Sequence, residues 1–285
     1  MSTIDLHMHS HYSDGKFSPK ELLRHAASLG LKTLAITDHD NTRGAREALP
    51  LARELGLELV PAIEFTSRWP GCNAPPGEGD IDVLGYFVAL DNLEFQAFEQ
   101  ATLNDIHARI ADCCARLTAA RCPLSLDDAF AENPHYAGLV HLILAAQKKG
   151  YAADWASALR LIQDAWKQVR LSPFTLRQVI EQIHLAGGVA ILAHPAVIEC
   201  GNGWIQREQV AQLVEWGLDG LEIYHHRLDE QAQAHFLDLA HRFDLLVSGG
   251  SDEHGWSGGF KRMGTQPVTV EMLQAIRARH LERAR

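Results

Sequence analysis

His7 and His9 stand two residues apart at the end of an apolar run near the N-terminus, and His11, Asp14 and Gly15 follow in a loop-like stretch. Residues two apart on a strand project from the same face, so both imidazoles can reach one cation. The placement recurs along the chain. His39 closes the run 34–37 just after Asp38, Glu64 closes 60–63, His194 follows 188–193 and precedes Pro195, and Asp252 and His254 follow 245–250. Scattered surface histidines account for one His-x-His, but not for a histidine or carboxylate closing strand after strand. Imidazole and carboxylate groups converging on one mouth form a multinuclear metal site suited to hydrolysis.

Some of these residues have two readings. Asp14 is either a carboxylate ligand or a turn residue before Gly15. His11 either supports the ligands or lies at the surface. Glu64 could bridge two cations with its two oxygens, or be an exposed acid at a strand exit. Asp38 should point away from His39 and orient a ligand histidine by a hydrogen bond. Glycines beside Asp252 and His254 permit close backbone approach.

The elements that must position these groups read as strands at 3–6, 33–37, 57–63, 81–88, 189–193, 220–224 and 245–249. Helical patterns fill 19–29, 42–55, 176–186, 207–216, 230–242 and 270–283. Ser18-Pro19 with Glu21 is a helix start with cap, first-turn proline and capping-box acid. Alternation of short strands with such helices predicts parallel β/α units closing into a barrel. The stretch 94–167 breaks the rhythm: Leu103, Ile106, Ile110, Cys113 and Leu117 keep helical spacing, and 154–166 is also helical in character. The expected organisation is a barrel of residues 1–93 and 168–285 with a helical insertion, 94–167, as lid or substrate wall.

The chain has 285 residues, 46% hydrophobic and 22% charged, with a net charge of −10. That charge argues against a broad basic surface for long nucleic acid. Two or three bound cations would nevertheless make the site locally positive and able to take a phosphorylated substrate. The five cysteines (Cys72, Cys113, Cys114, Cys122, Cys200) are odd in number and lack metal spacing. With no basic-then-apolar leader and no apolar run near ~20 residues, the expectation is reduced thiols in a cytoplasmic protein without a membrane span. Cys113-Cys114 is read as packing rather than redox chemistry. No stable protein partner is expected.

Taken together, Asp5-Leu6-His7-Met8-His9 with Ser13-Asp14-Gly15, Thr37-Asp38-His39, Glu64, Ala193-His194-Pro195 and Ser251-Asp252-Glu253-His254-Gly255 resemble the PHP family, named for polymerase and histidinol phosphatase. The resemblance runs from end to end apart from the insertion. It implies a distorted seven-stranded β/α barrel holding two or three divalent metals, with manganese foremost and iron, zinc or magnesium as alternatives. Carried over by position, His7, His9, Glu64 and Asp252 would hold one metal, Glu64 and His194 a second, and Asp14, His39 and His254 a third. Related sequences usually carry a histidine where this chain has Asp82, so the second site is where it departs. Asp82 is read as a ligand, against a structural role in its strand.

The run Asp14–Pro19 and the inserted Asn133-Pro134-His135 resemble the branch acting on nucleotides and short RNA ends, which includes 3′,5′-nucleotide bisphosphate phosphatases and 5′-to-3′ exoribonucleases. That branch often has arginine where Asn133 falls. Asn133 and His135 are candidate substrate contacts, His135 alternatively capping the next helix. Tyr224 and His225 are candidates for base stacking or phosphate contact and Arg227 for a second phosphate, with Lys16 and Arg170 as further basic groups or plain surface charge. The expected reaction is hydrolysis of a phosphomonoester, the 3′-phosphate of a nucleoside 3′,5′-bisphosphate, by metal-activated water, with His194 or Asp252 passing a proton to the leaving oxygen. Exonuclease action on short RNA shares that chemistry. Histidinol-phosphate phosphatase is the enzymatic alternative, and a degenerate non-catalytic module, which predicts loss of several ligands, is the alternative of another class.

Overall fold

The computed structural model describes residues 2–69, 80–198, 203–256 and 258–283; Cys72 and Cys200 lie outside them. Seven strands form one sheet in chain order: β1 (Ile4–Asp5), β2 (Thr33–Ile36), β3 (Glu58–Arg68), β4 (Asp80–Tyr86), β5 (Val189–Leu192), β6 (Gly220–Tyr224) and β7 (Leu246–Gly249). A parallel bridge from Met8 to Glu253 brings the two edges together, so the sheet nearly closes into a barrel. Its interior is apolar, from Leu6, Ala35, Val60, Leu84, Ile191 and Ala193.

Outside the strands lie α1 (Pro19–Ser28), α2 (Arg43–Glu54), α7 (Leu176–Leu185), α8 (Arg207–Glu215), α9 (Glu230–Arg242) and α10 (Val270–Arg283). Ser18 caps α1 with a reciprocal Glu21 bond and Pro19 in the first turn. Between β4 and α7 come α3 (Leu93–Ala119), α4 (Leu126–Glu132), α5 (Leu139–Lys148) and α6 (Trp155–Trp166). These four helices share a core of their own around Ile110, Cys113, Leu117, Leu142 and Ile162. Burial pushes the Cys113 thiol up to about 12 and that of Cys114 up to about 11, so both pack as inert thiols.

Two features depart from an all-parallel barrel. β4 runs antiparallel to both neighbours. Residues 69–79 are too few for a crossover back to the same end of the sheet, which takes about a dozen or more. β3 also continues to Arg68, so Glu64 lies within the strand rather than at its exit. Conversely β1 stops at Asp5 because the next residues pair with the segment after β7: the Asp252 N–H donates to the His7 carbonyl (2.8 Å) and the His9 N–H to that of Glu253 (3.0 Å).

At the opposite end from the histidines, Asp219 ties α10 to the sheet. It accepts from Arg279 (2.9 Å), Arg283 (2.8 Å), the His184 ring (3.0 Å) and the Ala190 N–H (2.9 Å). Burial opposes its ionisation, but His184, Arg283 and the Ala190 amide outweigh this and hold the carboxyl well below the usual aspartate range. A depressed folded-state pKa stabilises above the unfolded value of about 4, and that contribution is lost as pH falls further. Asp219→Asn should therefore cost about 1–3 kcal/mol at neutral pH. The difference from wild type in urea-unfolding free energy should shrink steadily below about pH 4; a constant difference would rule out the ion pair as its source.

Candidate metal centre

At the C-terminal mouth of the parallel strands, four ligand atoms cluster around one point. His7 Nε2 and His9 Nε2 are 3.1 Å apart, and Glu64 Oε2 is 3.1 Å from each. Asp252 Oδ1 is 3.5 Å from His7 Nε2 and 3.3 Å from His9 Nε2. Ligands about 2.0–2.1 Å from a tetrahedral cation are roughly 3.4 Å from one another, so this set fits a divalent metal as it stands.

Glu64 is shared. Its other oxygen, Oε1, is 3.1 Å from His194 Nε2, which lies 3.8 Å from Asp82 Oδ2, giving a second candidate set of Glu64, Asp82 and His194. In a third, Asp14 Oδ1 is 3.1 Å from His254 Nε2, 3.7 Å from His9 Nδ1 and 3.8 Å from His39 Nε2. The structure thus brings together all nine residues singled out as ligands, Asp82 among them. Imidazole mixed with carboxylate suits manganese, iron or zinc better than an all-oxygen magnesium site. Asp14 Oδ1, His39 Nδ1 and His194 Nδ1 are buried without hydrogen-bond partners, another mark of atoms positioned for something other than the protein.

The electrostatics agree. Burial raises a carboxyl pKa, yet the surrounding histidines hold Asp14, Glu64 and Asp252 far below the usual range. Burial likewise opposes protonation of His9, but Asp252 and Glu64 outweigh it and push the ring up to about 10. So dense a set of negative charge attracts cations, and a bound metal displaces protons from the imidazoles. Asp82 differs: burial and the nearby Glu64 carboxylate raise its pKa.

The backbone is strained where it serves the site. His194 (φ 28°) and Asp252 (φ 51°) occupy the left-handed region that side chains normally avoid, at a cost of order 1–3 kcal/mol each. Two glycines are sterically required. A Cβ on Gly15 would lie 2.1 Å from the His9 carbonyl oxygen, and one on Gly250 would lie 2.4 Å from the His7 nitrogen.

Sequence reasoning passed over the acids that hold the ligands. Glu222, fully buried on β6, has Oε1 2.9 Å from His7 Nδ1, while its Oε2 accepts the His194 N–H at 2.9 Å. It directs His7 Nε2 at the cluster and anchors the strained His194. An acid inside the otherwise apolar Leu221-Glu222-Ile223 was the available signal. Asp5 accepts the Ser251 and Gly264 amides, and Glu253 those of Gly255 and Arg262, pinning the C-terminal loop against the N-terminal motif. Glu222→Gln should weaken metal binding about 10- to 100-fold, measured by titration of the metal-free protein; unchanged affinity would reduce Glu222 to a packing residue.

Several other expectations are corrected. Asp38 reaches no histidine: it accepts from the Ser10 N–H and from the Ser10 and Ser13 hydroxyls, and Ser13 Oγ lies 3.3 Å from His9 Nδ1. Asn133 is buried, its amide donating to the carbonyls of His11 (2.8 Å) and Ser13 (2.9 Å) and its Oδ1 accepting the His135 N–H. It clamps the insertion to the metal loop and has no group left for phosphate. His135 does not cap α5, whose first turn is closed by His141 Nδ1 accepting the Gly138 N–H; its ring packs on His11 and Tyr12. His225 is buried, Nε2 3.2 Å from Asp252 Oδ2 and Nδ1 accepting the Arg227 N–H, so it buttresses Asp252 rather than meeting substrate. Tyr224 is half-buried and Arg227 is exposed. Arg170 pairs with Asp105, and Lys16 lies over the Phe17 and Trp256 rings.

Between this centre and the insertion lies a cavity of about 260 Å³. Asp14, His39, Thr66, Asp80 and Asp82 form its polar wall; Ile106, Tyr136, Leu139, Val140 and Trp166, all from the insertion, form the opposite one.

Comparison with known proteins agrees with this architecture. The chain is 30% identical over 88% of its length to a 5′-3′ exoribonuclease of Haemophilus influenzae, covering 91% of that protein. It is 27% identical to a 3′,5′-nucleoside bisphosphate phosphatase of Chromobacterium violaceum, covering 100% of both chains. A solved structure from Bifidobacterium adolescentis, described as a metal-dependent phosphoesterase, superposes with a TM-score of 0.83 at 28% identity over 97% of this chain and 96% of that one. The PHP domain profile matches residues 5–168. With that match, the shared barrel and full-length relatives of the same kind, the chain belongs to the PHP family.

Proposed function

We propose that this protein is a metal-dependent phosphoesterase that removes the 3′-phosphate from nucleoside 3′,5′-bisphosphates. The observation that carries the reading is the cavity: its polar wall includes the candidate metal ligands Asp14, His39 and Asp82, and its other wall is apolar and aromatic side chains. A substrate bearing a phosphate at one end and a ring system at the other matches that polarity. At about 260 Å³ it lies close to the usual range for small-ligand sites, about 300–1,000 Å³. Two relatives carry names for nucleotide- and RNA-directed activities. Exonucleolytic removal of terminal nucleotides from short RNA is a second activity compatible with the same walls.

In this reading His7, His9, Glu64 and Asp252 hold one cation, Glu64, Asp82 and His194 a second, and Asp14, His39 and His254 a third. Such cations, manganese foremost, would supply a water of lowered pKa and neutralise charge on the phosphoryl oxygens. The chain's own residues do the positioning. Glu64 fixes the first two sets relative to each other through its two oxygens, and Glu222 keeps His7 in the tautomer that leaves Nε2 free. His194 presents Nε2 to Glu64 and Asp82, and in this reading would act as a ligand of the second set. Asp252 has both oxygens engaged, one by the histidine cluster and one by His225, and acts as a ligand rather than a proton carrier. The apolar wall of the insertion excludes water from the bound nucleoside.

Phosphate release from manganese-reconstituted protein, compared across adenosine 3′,5′-bisphosphate, a 5′-phosphorylated oligoribonucleotide and histidinol phosphate, tests this. Preferred turnover of the bisphosphate is expected. Rapid turnover of histidinol phosphate with none of the bisphosphate would overturn the substrate assignment, and inactivity on all three would revive a non-catalytic module.

A further inference from the structure

The insertion contributes one polar group to the cavity that no part of the metal centre uses. Tyr136 lines the cavity and is only 4% exposed, and among the described residues its hydroxyl has no hydrogen-bond partner. The hydroxyl is not one of the fully buried atoms left without a partner, so the little surface it keeps opens onto the cavity. It faces the space bounded by candidate ligands: burial first, then the charges of Asp40, Asp14 and Asp82, raise its pKa, so the phenol stays neutral and keeps its proton to donate.

The hydroxyl is also held in place. Its ring packs near His107 (5.9 Å) and His141 (6.2 Å). Gly138 leaves the room it needs, since a Cβ there would come within 2.8 Å of Tyr136 Cε1. The preceding residues are fastened to the metal loop: Asn133 donates to the His11 and Ser13 carbonyls, and Arg43 Nη2 donates to the His135 carbonyl at 2.8 Å. Tyr136 is thereby fixed relative to Asp14, although the two are far apart in sequence. Asn133 and Arg43 are consumed by that fastening, and the His135 ring packs on His11 and Tyr12 instead of lining the cavity. The Tyr136 hydroxyl is what this loop has left to offer a ligand.

We infer that Tyr136 is a substrate-contact residue whose hydroxyl donates a hydrogen bond to a non-bridging oxygen of the phosphoryl group held at the metal centre. This rests on the phosphoesterase reading above. A neutral donor suits a place among carboxylates: it can meet an anionic oxygen without forming an ion pair with Asp14 or Asp82 in competition with the cations they would hold. A hydrogen bond from a neutral donor to a charged acceptor predicts a loss of about tenfold or more when the hydroxyl is removed.

Tyr136→Phe keeps the ring and removes only that group. In manganese-loaded protein it should weaken inorganic phosphate binding, measured calorimetrically, about tenfold. It should lower kcat/KM on the best phosphomonoester by at least as much, with metal content and Tm unchanged. Tyr136→Leu, which also loses the ring, should show the same phosphate defect together with a lowered Tm. Wild-type phosphate affinity in Tyr136→Phe would overturn the assignment while leaving the phosphoesterase reading intact. Wild-type protein that binds phosphate, with Tyr136→Phe weakened, but releases none from any phosphomonoester would sink the phosphoesterase reading and leave Tyr136 as an anion contact. No phosphate binding by the wild type would overturn both.

Discussion

Glu64→Gln should reduce turnover at least about a thousandfold, on the order of 4 kcal/mol of activation free energy, and should release metal from two sites together. The reason is geometric. Oε2 stands 3.1 Å from both His7 Nε2 and His9 Nε2, while Oε1 stands 3.1 Å from His194 Nε2. A glutamine keeps the length and shape of the side chain, but replaces one anionic oxygen with an NH₂ that repels a cation and the other with a weak neutral donor. Both sets are damaged at once, so metal analysis should find a stoichiometry lowered by more than one ion. Asp82→Ala, by contrast, touches only the second set and should cost one ion. Wild-type metal content in Glu64→Gln would show that the carboxylate is not shared.

Arg109→Leu should destabilise the protein by about 3 kcal/mol. Arg109 lies on α3 of the insertion and is 1% exposed. It donates to Asp80 on β4 and to the Arg170 carbonyl, and its guanidinium sits 4.6 Å from the centre of the Trp166 ring. Breaking a buried ion pair from one side strands the other charge, at about 3–5 kcal/mol; Asp80 is 18% exposed, which argues for the lower end. The double variant Arg109→Leu with Asp80→Asn should recover part of the loss, because no uncompensated carboxylate remains. Since Trp166 and Asp80 line the cavity, KM for a nucleotide substrate should rise more than kcat falls. Urea unfolding of the two variants and wild type measures the first effect; a cost below about 1 kcal/mol would mean the pair is solvated rather than buried.

Much of this architecture was legible because the signals were local. A histidine closing an apolar run marks a strand end at the mouth whatever the neighbouring strands do, which is why His7, His39, His194 and His254 could be picked out singly. The insertion was visible because 3.6-residue spacing from Leu103 to Leu117 admits no strand. The direction of β4 was harder to see, since alternation of elements suggests parallel pairing and only the length of the 69–79 link forbids it. Asn133 was misjudged for a different reason. An amide beside Pro134 looks like a ligand-binding loop in sequence, but its partners are carbonyls of residues more than a hundred positions earlier. Glu222 and His225 are supports whose partners, His7 and Asp252, come from distant parts of the chain; the one local trace was an acid inside the apolar run of β6, which names no partner.

The closure of the sheet through Met8 and Glu253 has a consequence for how the site forms. His7 and His9 lie more than two hundred positions before Glu222, Asp252 and His254 in the chain. A chain in which only the first strands have formed therefore holds histidines and carboxylates that have no complete cage to join. The candidate metal centre is therefore a property of the closed barrel alone, complete only once β6 and the segment after β7 have docked against the N-terminal motif.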